Sequence, residues 1–261
     1  METSGKSRIN LAGARVSTLA PNGKTGNWLI DPQDFTIASA GGDISGAALS
    51  SNLEANSITI LSSDGGVTGN GDIFVNDSVS WSSNNSLTLS AERNVGINMS
   101  GSIRNIFGSG NLTVTAGSDV AIDGGFSMGA GKITLDAQIG SITMGSTGWI
   151  STEGGDIELR AGTTLTNSSG TNSIDSKGGN IAVNLQGSGV SSLLGSLNAG
   201  GTSTYGRITI DAPQSGHAVT WNTLDGSSEV KVTASGDLVA SSYCESPCQI
   251  SSKGKIGRAH V

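Results

Sequence analysis

Seven carboxylates crowd the middle of the chain: Asp119, Asp123, Asp136, Glu153, Asp156, Glu158 and Asp175. Two such groups held across a groove could act as general acid and base on a glycosidic bond. Two cysteines, Cys244 and Cys248, stand close in "CESPC". In a secreted chain they read as a small disulfide loop, and otherwise as plain turn cysteines. A structural zinc would need four ligands, and besides the cysteines only His217 offers itself once His260 is set aside with the adapter-like tail at 255–261. Ser/His/Asp chemistry has the same single imidazole, in "PQSGHAV", with no nucleophile elbow nearby. The runs "GNGD" at 69–72 and "GGD" at 154–156 look faintly like calcium-binding β-roll units. Those units repeat every nine residues or so, and these do not. They read as corner turns. N-x-[ST] triplets at Asn76, Asn84, Asn98, Asn111 and Asn167 follow from a chain rich in Asn and Ser. The carboxylates are scattered among Gly and Ser, which assigns them to solvated turns. The expectation is therefore no catalytic site, no cofactor and no metal.

The elements that would hold these groups follow from composition. Of 261 residues, 40 are Gly, 13% are charged, 4% are aromatic and 35% are hydrophobic. A disordered Gly/Ser chain would lack the aliphatics. Small residues for turns and aliphatics for strands suit an all-β protein. A net charge of -7, without a Lys/Arg cluster, argues against nucleic acid, which demands a basic footprint. No apolar run approaches the roughly 18 residues of a membrane span. The opening "METSGKSRINLAG" has no apolar signal-peptide core.

A repeat organises the chain. Two aliphatics flank one residue at Ile58-Thr59-Ile60, Leu87-Thr88-Leu89, Leu112-Thr113-Val114, Ile133-Thr134-Leu135, Ile157-Glu158-Leu159, Ile181-Ala182-Val183, Ile208-Thr209-Ile210 and Val230-Lys231-Val232. Their first residues lie 29, 25, 21, 24, 24, 27 and 22 positions apart. Each phrase alternates apolar and polar, as a strand with one buried face does. Gly110, Gly131, Gly155, Gly179 and Gly206 stand two places ahead of five of them. Glycine there is expected to supply positive φ at a corner. A second apolar position follows at Val95, Val120, Ile142, Leu165, Val190, Val219 and Leu238. A third follows at Ile103, Ile150, Ile174, Leu197 and Leu224. Three strands in so short a period leave no room for crossover helices. The pattern predicts a right-handed parallel β-helix, a solenoid with coils of about 25 residues, in preference to a β-sandwich. Stacked at about 4.8 Å, the coils would make a rod roughly 40–50 Å long. Residues 1–55 form irregular first coils and 56–254 regular ones. Residues 255–261, "KIGRAHV", match one translated frame of a common sequencing adapter and are set aside, expected to continue no coil.

Two stretches carry a resemblance. "WLIDPQDFTI", Trp28 to Ile37, and "GNGDIFVNDSVSWSSNNSLTLSAERNVGINMSGSI", residues 69–103, resemble phrases of filamentous-haemagglutinin-like exoproteins of the two-partner secretion pathway. The likeness covers about residues 1–110, and the remainder matches in style. The family's N-P-N-G-type secretion motif is missing, since Ala20-Pro21-Asn22-Gly23 stands in another context. The resemblance implies an internal fragment of the β-helical shaft of a larger secreted or outer-membrane surface adhesin of a Gram-negative bacterium. Its roles would be attachment, biofilm formation or contact-dependent delivery in virulence. Its partners would be a host or bacterial cell-surface receptor or glycan, and an outer-membrane transporter. Physically, Asp31-Pro32 should start a turn, since Pro fixes φ and pushes the preceding residue out of helix, and Trp28 should plug the core. The competing expectation is a carbohydrate-active β-helix, a polysaccharide lyase, glycosidase or phage tailspike. Clustered acidic, basic and aromatic groups in one groove would favour it.

Overall fold

A computed structural model describes residues 1–5, 9–20, 22, 25–63, 69–168, 173–202, 205–226, 228–240, 244–245 and 248–258, with the side chains of Ser173, Cys244, Glu245 and Arg258 outside the description. The fold is a parallel β-solenoid of about nine turns, each of roughly 24 residues. Three sheets run its length, with the following strands among the described residues. Sheet A has eleven strands, from Glu2–Ser4 and Asn27–Asp31 through Leu112–Ala116, Ile133–Ala137 and Ile157–Ala161 to Cys248–Ser252. Sheet B has ten, from Phe35–Ile37 to Ile256–Arg258. Sheet C has eight, from Ser78–Trp81 to Cys244–Glu245.

The alternation in sequence becomes the pleat. Ile133 pairs with Leu112 below and Ile157 above, and Leu135 with Val114 and Leu159. Ile181 and Val183 continue both files. All are buried, while Glu158 is exposed and Thr134 half-exposed. The third file runs through Val79, Ile103, Phe126, Ile150, Ile174, Leu197 and Leu224. In the second file one expectation fails. Val190 precedes the strand Ser191–Leu193 and is half-buried. Ser192, paired with Val219, takes the inward place instead. A hydroxyl is tolerated there because it is fully hydrogen-bonded, as described below.

The recurrent glycines have a different cause from the one expected. None of Gly110, Gly131, Gly155, Gly179 and Gly206 has positive φ. A Cβ on each would lie 1.9–2.2 Å from the carbonyl oxygen of the coil beneath, such as Gly110 O under Gly131. They form a column in which backbone sits directly on backbone. Side-chain oxygens then capture amides that the corners would orphan. Before sheet A, Asn111 Oδ1 accepts from Lys132 N at 2.9 Å, Asp156 Oδ1 from Asn180 N at 2.8 Å and Asn180 Oδ1 from Arg207 N at 3.0 Å. Before sheet B, Asp34 Oδ1 accepts from Asp72 N at 2.9 Å, Asp72 Oδ1 from Asn94 N at 3.1 Å, and Asn94 Oδ1 from Asp119 N at 3.1 Å.

The first coils are irregular. Trp28 is buried in Asn27–Asp31, opposite Ile58, and its Nε1 donates to Thr3 Oγ1 at 3.1 Å. That strand ends at Asp31, and Pro32 leads round a corner to Phe35–Ile37 in sheet B. The phrase is thus one corner of a coil. Where a sheet C strand would come, Gly46–Leu53 is an α-helix, capped by Ser45, whose Oγ accepts from Ala48 N at 3.2 Å. The helix lies along the edge of Ser78–Trp81: Ser80 N donates to Ser50 Oγ at 2.8 Å and Ser82 N to Glu54 Oε1 at 2.8 Å. Buried Asn52 and Asn56 clasp the preceding chain, each accepting one amide and donating to one carbonyl within residues 14–18. At the other end Ile256–Arg258 pairs with Leu238–Ala240, against the expectation that it continues no coil. Ile256 remains 62% exposed, so it adds a strand without adding core. Ala259, His260 and Val261 lie outside the described residues.

Candidate functional site

The outer face of sheet C gathers groups that the other faces keep apart. Strand parity turns Ser78, Ser102, Gly125 and Trp149 outward in one file. Ser80, Arg104, Ser127, Ser151 and Asp175 form the next. Trp28, Trp81 and Trp221 are buried; Trp149, half-buried, is turned outward. Its ring lies flat on Gly125, where an added Cβ would sit 2.0 Å from Trp149 Cε2. Across the ring lies the Arg104 guanidinium, 5.2 Å from the ring centroid. Such a stack favours a guanidinium through the ring's negative face. Arg93, Lys132, Arg160, Lys177 and Arg207 each reach a carboxylate. Arg104 reaches an aromatic ring instead.

Arg104 opens onto a groove of about 640 Å³, with Ser78, Ser80, Ser102 and Ser127 on its floor and Glu153 on its wall. Ile106 contributes apolar surface, and the neighbouring Phe107 is 86% exposed. Glu153 accepts a hydrogen bond from Lys177 Nζ, while Lys177 N donates to Asp175 Oδ1 at 3.0 Å. Lys177 holds φ at 45°, a left-handed conformation that side-chain-bearing residues seldom adopt. Burial pushes the Asp175 carboxyl above its usual range, and the Glu153 charge adds to that, against the lowering effect of Lys177. The bond to Glu153 raises the Lys177 ammonium.

Of the seven carboxylates singled out in the sequence, Glu153 and Asp175 converge here. The others are spent elsewhere. Asp119 and Asp156 accept corner amides. Asp136 pairs with Arg160 at 2.7 Å and Glu158 with Lys132 at 2.7 Å, both on sheet A. Asp123 lies at a sheet B corner, against Gly145. The "GNGD" and "GGD" runs are corners: Gly71 and Gly154 have positive φ, and Gly69 packs on Gln33 and Asp34. Asn111 and Asn84 are engaged as amide acceptors, and Asn167 is buried. Cys248 is disulfide-bonded; the side chain of Cys244, the chain's other cysteine, lies outside the described residues.

His217 stands between a turn at residues 215–216 and the strand Ala218–Trp221. It is wholly buried, with Nδ1 2.7 Å from Gly187 O and Nε2 2.9 Å from Ser192 Oγ. A carbonyl only accepts, so Nδ1 carries hydrogen toward Gly187 O; Nε2 meets the Ser192 hydroxyl, and Ser192 Oγ accepts from Leu165 N at 3.0 Å. A Ser–His pair sealed this way holds two coils together and is closed to substrate.

The fold and the groove define a β-solenoid with one chemically distinctive face. The chain matches no family model, no curated protein and no solved structure.

Proposed function

We propose that this chain is a segment of the adhesive shaft of a large secreted exoprotein, displayed on the surface of a Gram-negative bacterium after two-partner secretion. Its work is attachment, biofilm formation or contact-dependent delivery, through a cell-surface receptor or glycan. The observation that supports this is continuity. Inward files run in register from coil to coil, and amide-capturing side chains and stacked glycines tie each coil to the next. Such a solenoid transmits force along its axis and offers a long outer surface, because each coil rests on its neighbours. No helix among the described residues is long and apolar enough to cross a membrane.

One observation favours a second reading, a carbohydrate-active β-helix. Glu153 meets the Lys177 ammonium and Asp175 its backbone amide beside a groove, and burial raises the Asp175 carboxyl, as suits a catalytic acid. One experiment separates the two. The purified chain on beads should retain cells above an albumin control while leaving a panel of polysaccharides intact. Cleavage that vanishes in Glu153→Gln or Asp175→Asn would move the protein to the second reading.

A further inference from the structure

We propose that the sheet C groove binds an acidic polysaccharide, with Arg104 receiving a uronate carboxylate and the serine floor receiving sugar hydroxyls. The assignment rests on the adhesive reading of the shaft and names its ligand class.

Three observations converge on it. Arg104 is exposed and stacked rather than ion-paired, so its forked donors remain available. A planar guanidinium matches a planar carboxylate through two parallel hydrogen bonds, and stacking holds it ready. Trp149 can lie flat only because residue 125 has no side chain; the platform is thus built across three coils, Ser102–Asn105, Gly125–Met128 and Trp149–Thr152. The floor repeats a serine hydroxyl from strand to strand, Ser78 to Ser102 and, in the next file, Ser80 and Ser127, which suits a polymer of repeating hydroxylated units. Glu153 on the wall is neutralised by Lys177, leaving Arg104 as the charge that the groove presents. A peptide is the poorer fit. The sheet C strands here are paired on both sides except Ser78–Trp81, whose outer edge is covered by the helix Gly46–Leu53, so no edge is open for strand addition.

The test is titration of the full chain at physiological salt with polygalacturonate, dextran and dextran sulfate, each followed by calorimetry and by assay for chain cleavage. Polygalacturonate should bind and dextran should not. Arg104→Ala should weaken binding by at least about tenfold. Arg104→Lys should not restore it, because the fork and the stack are both lost. Arg160→Ala, on sheet A, should leave it unchanged. Arg104 is exposed, so unchanged circular dichroism and melting should show that its variants fold. Equal binding of dextran, preference for dextran sulfate, or equal loss in Arg160→Ala would overturn the assignment. Binding accompanied by cleavage would uphold the groove and overturn the adhesive reading instead. Binding without cleavage that survives Arg104→Ala would overturn the groove and leave the shaft standing.

Discussion

Sheets A and C are built by the same coils on the same core, yet their outer faces differ. Sheet A has strands of five or six residues through its regular part and presents Thr59, Thr88, Thr113 and Thr134 in one outward file. Its charges close on one another, Lys132 with Glu158 and Arg160 with Asp136. Sheet C has strands of two to four residues and presents a stacked Arg104, an outward Trp149 and a strained Lys177. Short strands leave more of each coil in corners, and corners accept unusual side chains at little cost to the core. Stiffness and recognition are therefore carried by different sides of one rod.

If the core is common property, cutting it from either side should do equal harm. Phe126→Ala, under sheet C, should cost about 3–5 kcal/mol, and Leu135→Ala, under sheet A, about 2–5 kcal/mol. Urea unfolding would show this, and a mild effect of Phe126→Ala alone would mean that sheet C hangs on the core loosely. Next in size is His217→Ala, which strips Gly187 O and the Ser192 hydroxyl of a partner. About 1–3 kcal/mol should be lost, with no change in polygalacturonate binding; altered binding would tie the sealed pair to the outer face.

Outer-face changes should be smaller. Lys177→Gly removes a positive-φ side chain. It also removes an exposed ion pair that contributes little. Thermal melting should rise, or fall by less than about 1 kcal/mol in stability. A larger loss would mean that the Glu153 pair holds the corner. Asp175→Asn should have the smallest effect, and one that depends on pH. The folded state raises this carboxyl above its unfolded value. The native protein therefore favours the protonated form and loses stability as pH climbs from the unfolded value through the folded one. The variant should be slightly more stable than the parent at neutral pH. That advantage should vanish once pH falls below the unfolded value, near 3.8. Melting curves across pH that keep a constant gap would refute burial as the cause.

The sequence by itself determined the solenoid, its period and most of its core. Alternation at Ile133-Thr134-Leu135 states which side chain goes in, because successive side chains on a strand point to opposite faces. The same parity made Arg104 and Trp149 readable as outward residues, since they adjoin inward Ile103 and Ile150. The helix at Gly46–Leu53 was not read from the sequence, in which residues 1–55 read as irregular coils; Ser45 ahead of Leu49 and Leu53 at helical spacing is a short signal, and its place as a cover for sheet C is set by tertiary packing. What the tertiary structure alone decided was register. Whether Trp149 meets Gly125, and which carboxylates share a lysine, depends on coil lengths of 21 to 29 residues that place distant positions one strand apart. Register also explains why Ser192 displaces Val190 inward, and why the recurrent glycines are demanded by a carbonyl beneath them rather than by φ. A periodic sequence dictates direction at each residue, but contact between coils is set by packing distances that no local pattern encodes.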